Sequence, residues 1–368
     1  MGRKKRTKII IVIFAAAVVC AVLAVGGIMI YGKYQISKIP GLTFTEALEY
    51  TTKDNAGAVI TVGMIKDKQI SYKVYGENGK ELPAKPHTYE IGSLTKTFTA
   101  ALVNKAIAEG KLRIDDTIDN LLPLPKAGEY PTIKELLTHT SGYKGYYFES
   151  PMISNFLKGR NDFYGTTKEM VLKKASGLNL DKESYGFTYS NYGYAVLGLV
   201  LEAVYHTDYT TLVNGFAQNE LGLTETGISG KSGDLGNYWD WKANDAYLPA
   251  GAITSNITDM LSYAQIQLEG NPYFYECHKS IKTINASTED YRTMGINMDE
   301  IGMSWMIDRA NGIIWHNGGT GHYNSYLGFN PETGTAVVVL SNLAPDYRIP
   351  ATVLGTKVLI ELENQNSN

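Results

Sequence analysis

The chain has 368 residues, 44% hydrophobic and 19% charged, with a formal net charge of −3. That length suffices for one large α/β domain or two smaller ones, and the composition is globular rather than that of a disordered chain. Setting aside the five basic residues before the first apolar stretch leaves about −8 on the remainder, which excludes the basic footprint of a nucleic-acid partner.

Arg3, Lys4, Lys5, Arg6 and Lys8 precede residues 9–31, which carry no charge. At about 1.5 Å per helical residue this stretch reaches roughly 34 Å, enough for a hydrocarbon core of about 30 Å, and the basic cluster belongs on the cytoplasmic side. The expected arrangement is a cytoplasmic tail over 1–8, a single transmembrane anchor over 9–31, and an extracytoplasmic remainder held at the cell membrane. A cleaved signal peptide would show a shorter apolar core of about 7–15 residues, whereas Ala15, Ala16 and Ala17 fall in mid-stretch. A lipoprotein reading of Cys20 meets Val19 where a small residue is required. An uncleaved anchor is favoured. The other cysteine, Cys277, then has no partner in the exported part, so the domain must be stable without an internal disulfide.

Residues 32–52 read as a juxtamembrane spacer with a turn or two of helix near 44–50, and 53–364 as the folded domain. Residues 58–65 and 69–75 are β-rich runs separated by Lys66, Asp67 and Lys68, a hairpin pattern. The clearest helix starts at Ser93 and stops at Gly110, with Leu94, Phe98, Ala101, Leu102, Ala106 and Ile107 at helical spacing. A second helix spans 192–205. Near the C-terminus 313–316, 326–330 and 336–340 read as strands, the last two joined by a turn at 331–334, and a helix follows over 351–363. Strands at both ends with helices between predict an α/β (α+β) fold. One antiparallel sheet is built from both chain ends, flanked by helices, with an inserted mainly helical region, and the transmembrane helix precedes it.

The chain has no H-E-x-x-H, no C-x-x-C, no G-x-S-x-G and no phosphate-cradling glycine loop, so no metal ion or cofactor is called for. It does have Ser93-Leu94-Thr95-Lys96 at a helix start. Positions i and i+3 share a helix face, so the hydroxyl and amine can meet, and a neutral lysine can take the serine proton. The helix N-terminus disfavours an ammonium and favours developing negative charge. The bland alternative is that Ser93 caps an ordinary helix. A second copy, Ser141-Gly142-Tyr143-Lys144, has no helical pattern behind it and reads as a surface loop.

Tyr189-Ser190-Asn191 is the only Tyr-x-Asn among 26 tyrosines, and His316-Asn317-Gly318, followed by Gly319, is the only His-x-Gly. In this order and spacing the three motifs resemble the serine β-lactamase and D,D-peptidase superfamily, in particular its class C-like branch. The likeness extends to residues 110–116, 133–142, 187–198, 250–259 and 315–334, and covers roughly 55–362.

The resemblance implies a substrate acylating Ser93, with Lys96 and Tyr189 sharing proton transfer and Asn191 holding the substrate amide. His316 and Asn317 stand where many relatives have Lys and Thr of a Lys-Thr-Gly motif, and Gly318 and Gly319 follow, Gly319 completing an oxyanion hole with Ser93. Histidine is only fractionally charged near neutrality, which suits a D,D-carboxypeptidase, D-amino-acid peptidase or esterase better than an efficient β-lactamase. His139 reads as turn chemistry and packing. His322, Tyr323 and the aromatic runs 143–148 and 238–241 are candidates to line the cleft. The expected substrate is a small peptidic amide or ester, with cell-wall peptides and β-lactams among the candidates. The competing reading is a penicillin- or muropeptide-binding sensor or scaffold that acylates slowly without turnover.

Overall fold

The structure is a computed structural model that describes residues 37–126, 128–181, 184–229 and 233–366. The anchor expected over 9–31 lies outside them. Among the described residues no helix is long and apolar enough to cross a membrane.

Strands β1 (Ile60–Lys66) and β2 (Gln69–Tyr75) form the expected hairpin. Asp67 and Lys68 make its two-residue turn at φ of 51° and 62°, the left-handed pair that matches strand twist. Strand β3 (Glu81–Leu82) adds to its edge, while β4 (Tyr89–Glu90) and β5 (Thr254–Ser255) make a separate ribbon. Strands β6 (Lys282–Thr283), β7 (Glu300–Ile301), β8 (Met306–Asp308), β9 (Ile313–Gly319), β10 (Asn324–Asn330) and β11 (Thr335–Ser341) follow. The main sheet is antiparallel, in the order β3-β2-β1-β11-β10-β9-β8-β7-β6. The two chain ends therefore meet at its centre, with Ile60 opposite Ser341 and Ile65 opposite Ala336.

Five helices matter for the site: α1 (Phe44–Thr52), α2 (Thr95–Ala108), α3 (Asn191–Tyr205), α4 (Ile257–Leu268) and α5 (Ala351–Asn366). Strands β10 and β11 are buried along their whole length because helices cover both faces. Gly63, Val338 and Leu327 share one face by register, and a Cβ at Gly63 would stand 2.8 Å from Ile257 and Leu261 of α4. Tyr326 points from the opposite face against Gly355 of α5.

Two expectations change. Residues 44–52 are not spacer. Helix α1 belongs to the domain, with Ala47 and Leu48 buried and Arg348 donating to the carbonyls of Tyr50 and Lys53. Helix α2, expected to be amphipathic, is buried nearly all round from Thr95 to Val103, as befits a helix at the centre of a large domain. Its threonines satisfy their hydroxyls internally, Thr97 on the Leu94 carbonyl and Thr99 on the Pro249 carbonyl, and Phe98 stacks on Tyr263 at 4.2 Å.

Candidate active site

Strand β4 delivers the chain to the site. Ile91 donates to the Ile253 carbonyl, Gly92 turns at φ +50°, and a 3-10 turn over Gly92–Leu94 leads into α2. Ser93 is not the helix cap: Leu94 occupies that position and no side chain caps it. Both neighbouring motifs need glycine here. A Cβ on Gly92 would stand 2.5 Å from the Gly319 nitrogen, and one on Gly318 would stand 1.9 Å from the Ile91 carbonyl oxygen. The end of β9 and the serine turn are thus in direct main-chain contact, which places Gly319 beside Ser93. The Ser325 hydroxyl, donating to the Ile91 carbonyl at 2.8 Å, ties β10 to the same turn.

Lys96, on the first turn of α2, is completely buried. Its Nζ stands 2.9 Å from Ser93 Oγ and donates to the Ala250 carbonyl at 2.6 Å. Burial holds its pKa well below the usual 10.5. The amine is therefore inclined to be neutral, with a lone pair available for the Ser93 proton.

Tyr189 precedes α3, whose cap is Ser190: the Ser190 hydroxyl accepts the Gly193 N–H and donates to the Lys144 carbonyl. Lys96 Nζ lies 5.0 Å from the Tyr189 ring centre. Burial raises the phenol above its ordinary range, opposed by its interaction with the Ser93 hydroxyl, so it keeps its proton. His139 holds this tyrosine from both sides. Its carbonyl accepts the Thr188 N–H at 2.8 Å, its Nδ1 accepts the Ser190 N–H at 3.0 Å, and its ring lies 4.4 Å from the Tyr189 ring. Burial first, then Lys96 and His316, keep His139 neutral.

His316 stands behind Tyr189, ring centres 6.4 Å apart, rather than in the cleft. The Asn317 carbonyl can only accept, so His316 Nδ1 carries the proton and Nε2 is left buried with its lone pair and no partner among the described residues. Burial, with a smaller effect of Lys96, pushes its pKa down to about 3, so it carries no charge near neutrality.

Ser93 and Gly319 lie where two lobes of a cleft meet. The wider lobe, about 310 Å³, is walled by Phe187, Tyr189, Met298, Met306, Trp315 and Asn317. The narrower, about 70 Å³, is walled by Phe163, Asn191, Trp239, Trp241, Tyr247 and Ala250. Asn317 Nδ2 already donates to Thr352 of α5. Gly318 borders the wider lobe, but its missing side chain is explained by the Ile91 contact. Of the other candidates, Trp239 and Trp241 line the cleft. His322 is exposed and Tyr323 is buried, donating to the Gly236 carbonyl; neither lines either lobe.

The β-lactamase family model matches residues 46–356. The chain belongs to the β-lactamase family. Protein flp of Staphylococcus aureus (strain N315) is 26% identical over 317 residues, covering 77% of this chain, which spans 59% of that protein's length. A β-lactamase/D-alanine carboxypeptidase from Yersinia pestis complexed with citrate has a TM-score of 0.69 at 19% identity, over 86% of this chain and 96% of that one. The octameric penicillin-binding protein homologue from Pyrococcus abyssi has a TM-score of 0.66 at 20% identity, over 92% of this chain and 77% of that one. At these identities the solved structures establish the fold.

In this β-lactamase-family domain, two contributors escaped the sequence reading. Glu90, three residues before Ser93, is buried and accepts the Trp239 N–H and the Thr320 hydroxyl, tying the aromatic loop to the end of β9. Burial raises its carboxyl to about 7 against those two hydrogen bonds. A lone acid three residues before Ser93 was a signal in the sequence. Phe163, stacked on Tyr247 at 4.2 Å, had none, because it lies in an irregular segment without periodicity.

Proposed function

We propose that this chain is a membrane-anchored serine hydrolase that forms an acyl-enzyme on Ser93 with a peptidic amide or ester, of peptidase or esterase type rather than an efficient β-lactamase. The observation that carries this reading is the buried Lys96 amine, depressed by desolvation and 2.9 Å from Ser93 Oγ. Lys96 takes the Ser93 proton as Oγ attacks the carbonyl carbon, and the N–H groups of Ser93 and Gly319 hold the resulting oxyanion. Tyr189 gives its proton to the departing nitrogen or oxygen, and the Lys96 ammonium restores the phenol. Water then attacks the Ser93 ester, the same two groups moving the protons back.

Among the described residues no charged side chain lines either lobe, and His316 is neutral. A free substrate carboxylate would meet no counter-ion. This favours esters and blocked D-amino-acid amides, including internal bonds of cell-wall peptides, over a free-acid β-lactam or a peptide ending in a free carboxylate.

The test uses the full-length protein with a fluorescent penicillin, a chromogenic cephalosporin, a D-alanyl-D-alanine peptide and p-nitrophenyl acetate, with intact mass spectra of wild type and Ser93→Ala. Expected are Ser93-dependent turnover of the ester, slower peptide hydrolysis and little cephalosporin colour. Identical behaviour of the two proteins would remove Ser93 from the mechanism. A lasting penicillin adduct with no turnover of any substrate would favour the sensor reading. The proposal also puts residues 9–31 in the cell membrane and the domain outside it. Protease added to intact spheroplasts should then digest the domain, and full protection would overturn that placement.

A further inference from the structure

Granting the serine hydrolase reading, the two lobes divide the substrate between them. The leaving group must sit within reach of the phenol that protonates it, and Tyr189 lines only the wider lobe. The acyl part of the substrate is therefore directed to the narrower lobe, among Phe163, Trp239, Trp241 and Tyr247. Phe163 is also a wall of a separate groove of about 250 Å³, lined by Tyr146, Phe148, Met152, Ile153 and Phe156, with Asp162 its one charged member. Its ring bridges the two spaces, stacked on Tyr247 at 4.2 Å and edge-on to Tyr146 at 6.5 Å.

The groove's rim is unusual for a surface. Phe148 is 62% exposed, Phe156 and Leu157 77%, Tyr146 58% and Ile153 53%. The short helix Ser150–Leu157 thus turns its largest apolar side chains to solvent while burying Met152 and Asn155. Apolar clusters of this kind mark binding surfaces, and this one continues, through Phe163, the lobe assigned to the acyl group.

We propose that this groove extends the acyl subsite, and that the substrates are esters or amides whose acyl part carries a medium or long apolar chain. The chain would run from the Ser93 ester along Phe163 onto Phe148, Ile153 and Phe156. Each methylene buried there should raise kcat/KM roughly two- to fourfold, since burying one CH₂ approaches that factor in full.

The experiment measures kcat/KM of full-length protein in phospholipid nanodiscs for p-nitrophenyl acetate, butyrate, hexanoate and octanoate. The Phe148→Asp/Phe156→Asp double variant and an exposed control elsewhere, Tyr275→Ser, are measured on the same nanodiscs. Expected is a rise with chain length in wild type and Tyr275→Ser, and an octanoate-to-acetate ratio at least tenfold lower in the double variant. Equal ratios in all three proteins would mean that the esters merely partition into lipid, and would overturn the groove. A flat wild-type profile with Ser93-dependent acetate turnover overturns the groove alone. No Ser93-dependent turnover of any ester overturns the hydrolase reading and the groove with it.

Discussion

The pattern Ser-x-x-Lys occurs in two places, at 93–96 and at 141–144, and the chain folds them in different ways. At the first, a 3-10 turn running into a buried helix aims both side chains into one dry space, with Nζ 2.9 Å from Oγ. At the second, Gly142 at φ +75° breaks any helix, Ser141 is buried and accepts the Tyr143 N–H, and Lys144 points to solvent. Spacing becomes chemistry only where a helix converts i and i+3 into neighbours and burial keeps the amine neutral. The second copy serves the first through its main chain, since the Lys144 carbonyl accepts the Ser190 hydroxyl and the Gly145 carbonyl accepts the Tyr192 N–H beside Tyr189.

The sharpest way to break this contrast is to disable the first pair. Ser93→Ala should lower kcat/KM for a p-nitrophenyl ester at least about 10³-fold, and Lys96→Ala by about 10²–10⁴. Lys96→Arg should not rescue, because a guanidinium stays protonated. Only the neutral amine can accept the proton, so wild-type kcat/KM should fall as pH drops through the depressed Lys96 pKa. A pH profile with no acid limb would contradict Lys96 as the base.

Stability gives the next largest effect. Gly318→Ala forces a Cβ to 1.9 Å from the Ile91 carbonyl oxygen, main chain against main chain. A loss of about 3 kcal/mol in urea denaturation is expected, and a loss below about 1 kcal/mol would mean that the turn and β9 can part cheaply. The residue three before each serine differs too: Glu90 before Ser93, Thr138 before Ser141. Glu90 titrates near 4.5 unfolded and at about 7 folded, so the folded state binds the extra proton between these values. The stability tied to that proton is complete below about pH 4.5, falls as pH rises, and is gone above about pH 7, up to about 3 kcal/mol in all. Glu90→Gln should flatten the slope of unfolding free energy between pH 5 and 7, and an unchanged slope would assign it to other groups.

Much of this plan is legible in the residues. The hairpin break at residues 66–68, the strands read at 313–316, 326–330 and 336–340, and the unique Tyr189 and His316 motifs are local patterns, and local patterns survive folding. What was not legible depends on distant pairings. Nothing near Ile60 says that it will face Ser341, and nothing at Phe163 says that it will stack on Tyr247. The periodicity of α2 marked a helix, but only tertiary packing buries the Thr and Ala on its far side. His316 looked like a cleft residue because its motif borders the cleft, yet strand alternation turns its ring inward behind Tyr189.

The smallest effect is the most exacting check of the comparison. Lys144→Ala removes a solvent-facing side chain and leaves in place the carbonyl that holds Ser190. Ester turnover should stay within about twofold of wild type and stability within about 0.5 kcal/mol, the range of ordinary surface substitutions. Lys144→Pro keeps that carbonyl but removes the main-chain N–H, which donates to the Tyr147 hydroxyl, and fixes φ. If the loop acts through its main chain, the proline variant should lower kcat with little change in KM, by displacing the Ser190 cap and with it the Tyr189 phenol. Should alanine be as damaging as proline, the Lys144 side chain would have a role of its own, and the division between an active and a supporting Ser-x-x-Lys would fail.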